Sequence, residues 1–346
     1  MKIRPAAALT ALLVAGCSGG SSPPELKAFV SAPRVEAALA LAHAGTGFPL
    51  VAADGSTLGA VGLPDALKAG ESPTWSPDGT RIAFTAATDA RATGVLLPPT
   101  DVYVIGVAGG TAQRVTTGRN ALYPEWSPDG RWIDYSAVTR ADNGRTAAIW
   151  IVHPDGTGAV RLTHPADGAY DLAGPYNPRT GRIAFTHCAK PVLLSGGFEP
   201  DTCSVWTMDP DGSGARRLAT ESEQPAWSPD GRRIAFASAR DHAARIRVGE
   251  DESSWIRQIY VMHADGSGQR RLVVTGTDDQ WPDWAPGGAV IAYQTTSELT
   301  LPTTAVVVDA DGTCRRAVSP GLTGRLDVGY RTPAWRPGGV VARLAC

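Results

Sequence analysis

Side chains that could carry out chemistry are scattered along this sequence rather than gathered into one motif. His164, His187 and His242 lie in three successive segments without a strand pattern, and imidazoles that converge on one point can bind a metal ion. They do not recur at one position of the repeat described below, as a ring of ligands would, so unrelated surface histidines are the simpler interpretation. We therefore predict neither a bound metal nor a cofactor.

Acidic side chains are the other candidates for catalysis, because a pair of carboxyl groups can cleave a glycosidic bond as acid and base. The carboxylates concerned are Asp171, Glu199, Asp278 and Asp279. Residues 16–20 (GCSGG) match a serine-nucleophile motif in letters only, since no strand and helix flank them. The sequence thus predicts no catalytic constellation, and we expect a protein that is not an enzyme. A polysaccharide lyase or hydrolase is one alternative, and a purely structural or sensory protein is another.

Arginine and aromatic side chains in the irregular segments favour binding instead, because these residue types are enriched where proteins bind partners. The candidate ligand-binding residues are Arg245, Arg247, Trp255, Tyr123, Trp281 and Tyr330. The first three share the mixed-charge segment 238–257, and the alternative there is a solvated loop whose Trp packs back on the protein. The last three lie between repeats, where the alternative is an aromatic wedge between structural units.

The elements that must position these residues form an internal repeat. A motif of the type WSPDGTRIAF begins at Trp75, Trp126, Trp227, Trp284 and Trp335, and a worn copy begins at Tyr176. Successive copies start about 51 residues apart. The motif predicts strand, turn and strand, because Pro presets φ, Asp caps the turn and Gly takes a positive φ.

A second motif alternates with the first and consists of an aliphatic strand, a turn on Asp-Gly or Gly-Gly, and a polar strand. Its copies begin at Pro49, Val102, Ile149, Val205, Ile259 and Ala305. Asp-Gly is typical of hairpin turns, so each pair of motifs predicts a four-stranded antiparallel sheet. One such sheet cannot bury both faces alone, which predicts an all-β fold, a six-bladed β-propeller with radially stacked blades.

Over residues 48–346 the two motifs resemble the TolB-like, WD40-like (PD40) repeats of six-bladed β-propellers. The resemblance is specific for the fold but not for the function. Propellers of this kind include envelope proteins, the propeller of prolyl-oligopeptidase-type peptidases, and pectin-degrading lyases in which histidines bind a metal. TolB itself carries an additional N-terminal domain that the short stretch after Cys17 cannot hold, so its partners are not carried over.

The N-terminus resembles a lipoprotein signal. Lys2 and Arg4 precede an apolar stretch, residues 6–15, and residues 14–17 (VAGC) look like a lipobox in which Cys17 is lipidated. We expect a signal peptide at 1–16, a lipid-anchored flexible tether at 17–34 and the propeller at 35–346. This predicts an exported protein anchored to the bacterial cell envelope, facing the periplasm from the outer membrane if the cell has two membranes.

The expected partners are an envelope protein, a peptide or a glycan, with membrane contact through the lipid anchor only. A net charge of −2 gives no basic surface for nucleic acid. In a propeller of this design the tight turns share one face. The other face, which we call the loop-rich face, carries the links between blades and four longer segments: 85–101, 138–147, 187–202 and 238–257. Binding residues concentrate on such loops.

Cysteine positions and the two chain ends give the last expectations. Cys188 and Cys203 flank segment 187–202, which predicts a disulfide in an exported protein. Cys314 and Cys346 form a second possible pair that the predicted topology places on opposite faces, so that pairing stays open. The Trp335 hairpin and the hairpin near Pro49 should complete one blade together, and the apolar residues 35–43 could add a strand there.

Overall fold

The computed structural model describes residues 38–41, 47–64, 67, 70–88, 99–141, 144–189, 193–194, 197–198, 202–247, 253–297, 303–318, 333–338 and 341–344. Cys17, Glu199, Tyr330 and Cys346, on which sequence predictions rest, lie outside this set. In chain order the strands are β1 (Leu39–Ala40), β2 (Phe48–Val51), β3 (Thr57–Val61), β4 (Glu71–Trp75), β5 (Arg81–Ala87), β6 (Thr100–Gly106), β7 (Gln113–Arg114), β8 (Ala121–Trp126), β9 (Ile133–Ala141), β10 (Gly144–Val152), β11 (Val160–Arg161), β12 (Tyr170–Leu172), β13 (Ile183–Cys188), β14 (Leu193–Leu194), β15 (Gly197–Phe198), β16 (Cys203–Met208), β17 (Arg216–Thr220), β18 (Ser222–Trp227), β19 (Arg233–Ser238), β20 (Arg245–Arg247), β21 (Ser253–Trp255), β22 (Gln258–His263), β23 (Arg270–Arg271), β24 (Asp278–Trp284), β25 (Val290–Thr296), β26 (Thr304–Asp309), β27 (Arg315–Ala317) and β28 (Ala334–Trp335).

These strands form an all-β, propeller-like arrangement of small, mostly antiparallel sheets. Four sheets have the orders β4-β5-β6-β7, β18-β19-β22-β23, β24-β25-β26-β27 and β28-β1-β2-β3. A larger sheet has the order β17-β16-β13-β12-β10-β9-β8, with β11 on β10, and two insertions form the hairpins β14–β15 and β20–β21. Within the described residues, no helix is long and apolar enough to cross a membrane.

The Ser-Pro-Asp-Gly turns form between the first and second strands of a sheet, as the sequence predicts. After β4, the Ser76 hydroxyl donates to Asp78 (2.6 Å) and accepts from the backbone N–H of Arg81 (2.9 Å), while Gly79 takes a φ of 66°. The same two bonds recur in the turns after β8 and β18. Because these bonds are local, each copy of the motif specifies its own hairpin.

Hydrophobic cores lie between neighbouring sheets. Trp126 of β8 packs with Val102 of β6, in the preceding sheet, and Trp284 of β24 packs with Ile259 of β22. Arginines of the preceding sheet cover both indole rings, with guanidinium-to-ring distances of 4.7 Å at Trp126 and 4.5 Å at Trp284. Each sheet therefore buries its faces against its neighbours, which is what radial stacking requires.

The two chain ends meet in one sheet, but the division between them differs from the expectation. Leu39 of β1 pairs with Val51 on one side and with Trp335 on the other, so the N-terminal chain supplies the second strand. Residues 341–344 form no strand, and the Leu344 N–H donates to Asp309 (2.8 Å) instead. The predicted two-strand C-terminal contribution is therefore wrong. A strand buried on both faces must be apolar throughout, and residues 38–41 (ALAL) meet that condition whereas 341–344 (VARL) carry Arg343.

The second and third repeat units are joined, where separate blades were expected. β10 and β12 pair in parallel through Ala147 and Tyr170, and the Gly168 N–H donates to the Thr146 hydroxyl (2.9 Å). The third unit carries the worn motif. Tyr176 forms only an isolated bridge with Ile183, so its first strand is short and its start pairs with the preceding unit.

Three of the four insertions contain more regular structure than expected, including residues 187–202 with the hairpin β14–β15. Residues 138–147 were predicted as a loop, but β9 and β10 stay paired from Ile133↔Val152 to Ala141↔Gly144. The prediction of a loop was therefore wrong, and Val138, Thr139 and Thr146 in this segment are residue types that favour strands. Residues 238–257 contain the hairpin β20–β21, in which Arg245 pairs with Trp255.

Disulfide bonds fix the loop-rich face and the fifth repeat. Cys188 of β13 and Cys203 of β16 are directly opposite in register and bonded, with an S–S distance of 2.01 Å and a Cα–Cα distance of 4.1 Å. Cys314, beside the turn on which Leu344 lies, is also disulfide-bonded. Its expected partner, Cys346, belongs to the residues that the structure does not describe.

Candidate binding site at the inner strands

The first strands of the repeat units line the centre of the arrangement, since β4 lies against β8, β18 against β24, and β28 against both β24 and β4. We call them the inner strands. A Pro lies two positions before the Trp in these strands and is conserved between the repeats. In four of the strands, the residue before this conserved Pro has a positive φ: 51° at Ser72, 54° at Tyr123, 56° at Gln224 and 54° at Trp281. The strand register shifts at the same place in each. A β-bulge of this kind re-aims the side chain that it carries.

The bulges of β8 and β24 bring two predicted binding residues together. The rings of Tyr123 and Trp281 lie 5.0 Å apart between centroids and are tilted by 40°, although 158 residues separate them in sequence. Both side chains are half-buried. We call them the inner aromatic pair. The sequence analysis selected both residues but did not foresee that they touch.

Two glutamines lie beside Trp281: Gln224 on the neighbouring strand β18 and Gln280 on β24 itself. The Gln224 side-chain oxygen accepts from the backbone N–H of Trp281 (2.8 Å), and its amide donates to Gln280 (3.2 Å). Gln224 itself is held by a bond from its backbone N–H to the Thr186 hydroxyl (2.9 Å). Sequence reasoning missed both glutamines; for Gln224 the available signal was its place directly before the repeated Pro, the position that Tyr123 and Trp281 occupy in other copies.

A buried charge cluster lies beside the pair and joins the fourth and fifth units. The Arg257 side chain, 4% exposed, contacts Glu223 of β18 and lies 3.0 Å from Asp278 of β24. Gln280 donates to the same Asp278 carboxylate (2.5 Å). Burial disfavours the charged guanidinium, but the two carboxylates outweigh it and hold the pKa of Arg257 above its usual range. The sequence analysis selected Asp278 as a candidate acid but missed its grouping with Arg257 and Glu223, because the three residues lie far apart in sequence.

Asp279, a candidate acid from the sequence, is directed away from the solvent. It is completely buried and accepts hydrogen bonds from the hydroxyls of Thr275 (2.7 Å), Thr277 (3.0 Å) and Thr295 (2.6 Å). Burial raises the pKa of this carboxyl to about 6 against the lowering effect of the hydroxyls. These hydrogen bonds connect the segment before β24 with strand β25, so the role of Asp279 is structural.

The other predicted residues, on the hairpin β20–β21, form a separate group. The Trp255 ring stacks on His242 with 4.7 Å between centroids, and the Arg245 guanidinium lies 4.8 Å from the same ring. His242 is 2.8 Å from Glu221, while Arg247 is exposed. Trp255 thus packs on its own insertion, as the alternative interpretation had it, yet the hairpin still presents two exposed arginines.

The three histidines suggested as metal ligands are not brought together. His187 is 2.7 Å from Asp171, His242 lies in the hairpin group, and His164 is exposed. Among the residues that the structure describes, no three His, Cys, Asp or Glu side chains are grouped as metal ligands. In the third unit, the Asp171 carboxylate orients the His187 imidazole. The Trp206 ring meets this imidazole edge-on, with 5.6 Å between ring centroids.

Comparison with known proteins identifies relatives of this chain. An uncharacterised protein of Agrobacterium fabrum is 25% identical over 204 residues, which cover 56% of this chain and 60% of the relative. The Tol-Pal system protein TolB of Geobacter sulfurreducens is 34% identical over 93 residues, 26% of this chain and 17% of that protein. The chain thus matches less than two thirds of the length of either relative.

Solved structures share the fold over most of the chain. A putative TolB from Agrobacterium tumefaciens superposes with a TM-score of 0.57 at 20% identity, over 82% of this chain and 88% of the other. TolB from Acinetobacter baumannii gives 0.59 at 19% identity, over 87% and 66%. The family model described as the TolB beta propeller domain (PD40) matches residues 65–248, more than half of the chain. The chain therefore belongs to the TolB β-propeller family.

Proposed function

We propose that this protein is a non-catalytic binding module of the bacterial cell envelope, which holds a protein, peptide or glycan ligand at the loop-rich face. The observation that carries the proposal is the inner aromatic pair. Two half-buried rings from distant repeats meet at the centre, beside a network of amides and charges. Rigid aromatic groups within a polar surround are typical of binding hot spots.

A closed, six-bladed ring is the scaffold that we propose for this site. One apolar cluster combines Leu39 and Trp335 of the seam sheet with Val307 of the fifth unit, and another combines Phe48 of the seam sheet with Phe84 of the first. Packing on both sides of the seam supports closure. Counting the joined second and third units separately makes six.

We further propose the domain order expected from the sequence: a signal peptide at 1–16, a lipidated Cys17 with a flexible tether to residue 34, and the propeller from residue 35. The lipobox-like residues 14–17 support the anchor. The relative named as a Tol-Pal system protein supports an envelope location. The tether would place the loop-rich face within reach of other envelope components.

Partner capture tests the proposal. The full chain is immobilised and exposed to solubilised envelope from the producing bacterium, alongside Y123A/W281A, R245A/R247A/W255A and the control V274A, whose side chain is 76% exposed. We expect one ligand to be retained by the wild type and V274A and lost from one of the two site variants. A ligand retained equally by all four, or none retained by the wild type, contradicts the proposal.

The enzymatic alternative, a polysaccharide lyase or hydrolase, is favoured by one feature, the Asp171–His187 pair, because an imidazole held by a carboxylate can move protons. Its test is glycan cleavage by the full chain and by H187Q. Cleavage that H187Q abolishes, with folding unchanged, would replace the binding proposal.

A further inference from the structure

Three side chains of the third unit form a polar row that the proposed ligand site does not use. Asp171 of β12 is directly opposite His187 of β13, and His187 is directly opposite Ser204 of β16. Directly opposite residues of antiparallel strands place their side chains on the same face, with Cβ atoms about 5 Å apart. The disulfide between Cys188 and Cys203 lies next to the row and fixes this register. A carboxylate, an imidazole and a hydroxyl therefore follow one another in that order.

The imidazole in the middle of the row is held through one of its two nitrogens. His187 Nδ1 lies 2.7 Å from an oxygen of the buried Asp171 carboxylate, and the His187 side chain is 29% exposed. Among the described residues, no other side chain bonds to the Asp171 carboxylate, and none bonds to Nε2 of His187. With Nδ1–H donating to Asp171, Nε2 is the nitrogen that can accept a proton.

This row distinguishes the third unit from the other repeats. The position of His187, four residues after the repeated Ile of the second strand, is occupied in the other units by Ala86, Ala137, Ser238 and Thr295. In the fifth unit a carboxylate, Asp279, also lies opposite this position, but its partners are threonine hydroxyls. Among these five strands, a side chain able to act as a base thus stands here in the third unit alone.

We propose that Ser204 is a nucleophile that accepts an acyl group from an ester, with His187 as its general base and Asp171 as the group that orients the base. The Ser204 oxygen forms a bond to the carbonyl carbon, and the bond from that carbon to the alcohol oxygen breaks. The Ser204 proton passes to Nε2 of His187 and then to the departing alcohol. No hydrogen bond joins Ser204 to His187 in the part of the chain that the structure describes, so the hydroxyl must turn toward Nε2 about one torsion.

Acylation of Ser204 is independent of the proposed ligand site, because the row belongs to the third unit and includes neither ring of the inner aromatic pair. One acyl group taken up per chain is a modification and not turnover. It is therefore compatible with a binding module.

The test uses the full chain and an alkyl fluorophosphonate, whose phosphorus forms a bond to an activated serine oxygen as fluoride leaves. We expect peptide mass spectrometry to find the adduct on Ser204. Ser213 is the control serine within the same chain, since it is exposed and its hydroxyl bonds to Asp211 (2.7 Å) without a histidine, and it should stay unlabelled. H187Q should label Ser204 about 100-fold more slowly, because it lacks the general base.

Asp171→Asn provides the second variant, because it keeps the shape of the side chain but no longer holds the imidazole in the same tautomer. We expect D171N to slow the labelling by a similar factor, and Y123A/W281A to label at the wild-type rate. Folding of each variant is checked by circular dichroism. An unlabelled Ser204 in the wild type, or wild-type rates in both H187Q and D171N, would overturn the proposal. Neither result bears on the capture experiment, so the two proposals can fail separately.

Discussion

Replacing Asp134 with alanine should stabilise the protein. Asp134 lies in β9, is completely buried, and neither of its carboxylate oxygens has a hydrogen-bond partner among the described residues. The second strands of other units have alanine at the equivalent position after the conserved Ile: Ala83, Ala184, Ala235 and Ala292. Burial alone raises the pKa of the Asp134 carboxyl well above its ordinary value of 3.8.

The magnitude follows from two opposing effects. A buried polar group without a partner costs about 1–3 kcal/mol, and removing it leaves a small void that costs up to about 1 kcal/mol. We therefore expect D134A to gain about 1–2 kcal/mol of unfolding free energy at low pH. The second strands of other units carry alanine at this position, so we expect the void left by D134A to cost little unfolding free energy.

The gain should grow with pH. The folded pKa lies above the unfolded one, so above pH 3.8 the folded state retains a proton that the unfolded state has lost. The unfolding free energy of the wild type then falls as pH rises from 3.8 toward the folded pKa, by at most about 1.4 kcal/mol per pH unit. D134A removes this contribution. Below pH 3.8 the difference in unfolding free energy between D134A and the wild type should become constant.

Urea unfolding at pH 4, 5.5 and 7 measures the effect, with equal m-values as the condition for comparison. Ala235→Asp is the matched control, because it places the same carboxyl at the equivalent position of the fourth unit, where the alanine is also completely buried. It should destabilise the protein, and more at pH 7 than at pH 4. A destabilised D134A, or a gap that does not change with pH, would refute the reasoning.

Three further changes test the packing by chemical unfolding. Leu39→Ala in the middle strand of the seam, completely buried, should cost about 3 kcal/mol, whereas Val160→Ala, 48% exposed, should change stability by less than about 0.5 kcal/mol. An equal effect of the two would argue against a tightly packed seam. Replacing Cys188 and Cys203 together by serine should cost about 3 kcal/mol for a separation of 15 residues, and an unchanged midpoint would contradict this. Arg257→Met should cost about 3–5 kcal/mol because it leaves two buried carboxylates without their cation; a loss below about 1 kcal/mol would show that they are protonated or solvated.

The repeated elements could be predicted from the sequence because the signals that specify them are local. The Ser76–Asp78–Gly79 turn needs only residues within one motif, and its geometry follows from the φ preferences and side-chain bonds of those residues. The seam could not be assigned correctly in this way. Whether Leu39 or Val341 supplies the second strand depends on competition between segments about 300 residues apart, which no local pattern records.

The candidate site could be predicted only in part, for a related reason. Tyr123 and Trp281 were selected as aromatic residues between repeats, but their contact depends on the relative positions of β8 and β24, which belong to different sheets. The Arg257 cluster likewise joins residues of two units, so the sequence alone does not indicate that its charged side chains are neighbours. Long-range pairing determines the site, whereas local pairing determines the blades.

Differences between copies therefore carry the functional information in this chain. The backbone bulge before the conserved Pro is common to at least four inner strands, so its strain reflects the fold rather than a function. What differs is the side chain that each bulge carries: Ser72, Tyr123, Gln224 and Trp281. Tyr123 and Trp281 are aromatic and meet, and the Gln224 side chain accepts a hydrogen bond from the backbone N–H of Trp281. The residues on either side of the repeated Pro vary between copies, and at the position before it two of the variants are aromatic rings in contact, so we propose that the ligand binds at the inner aromatic pair.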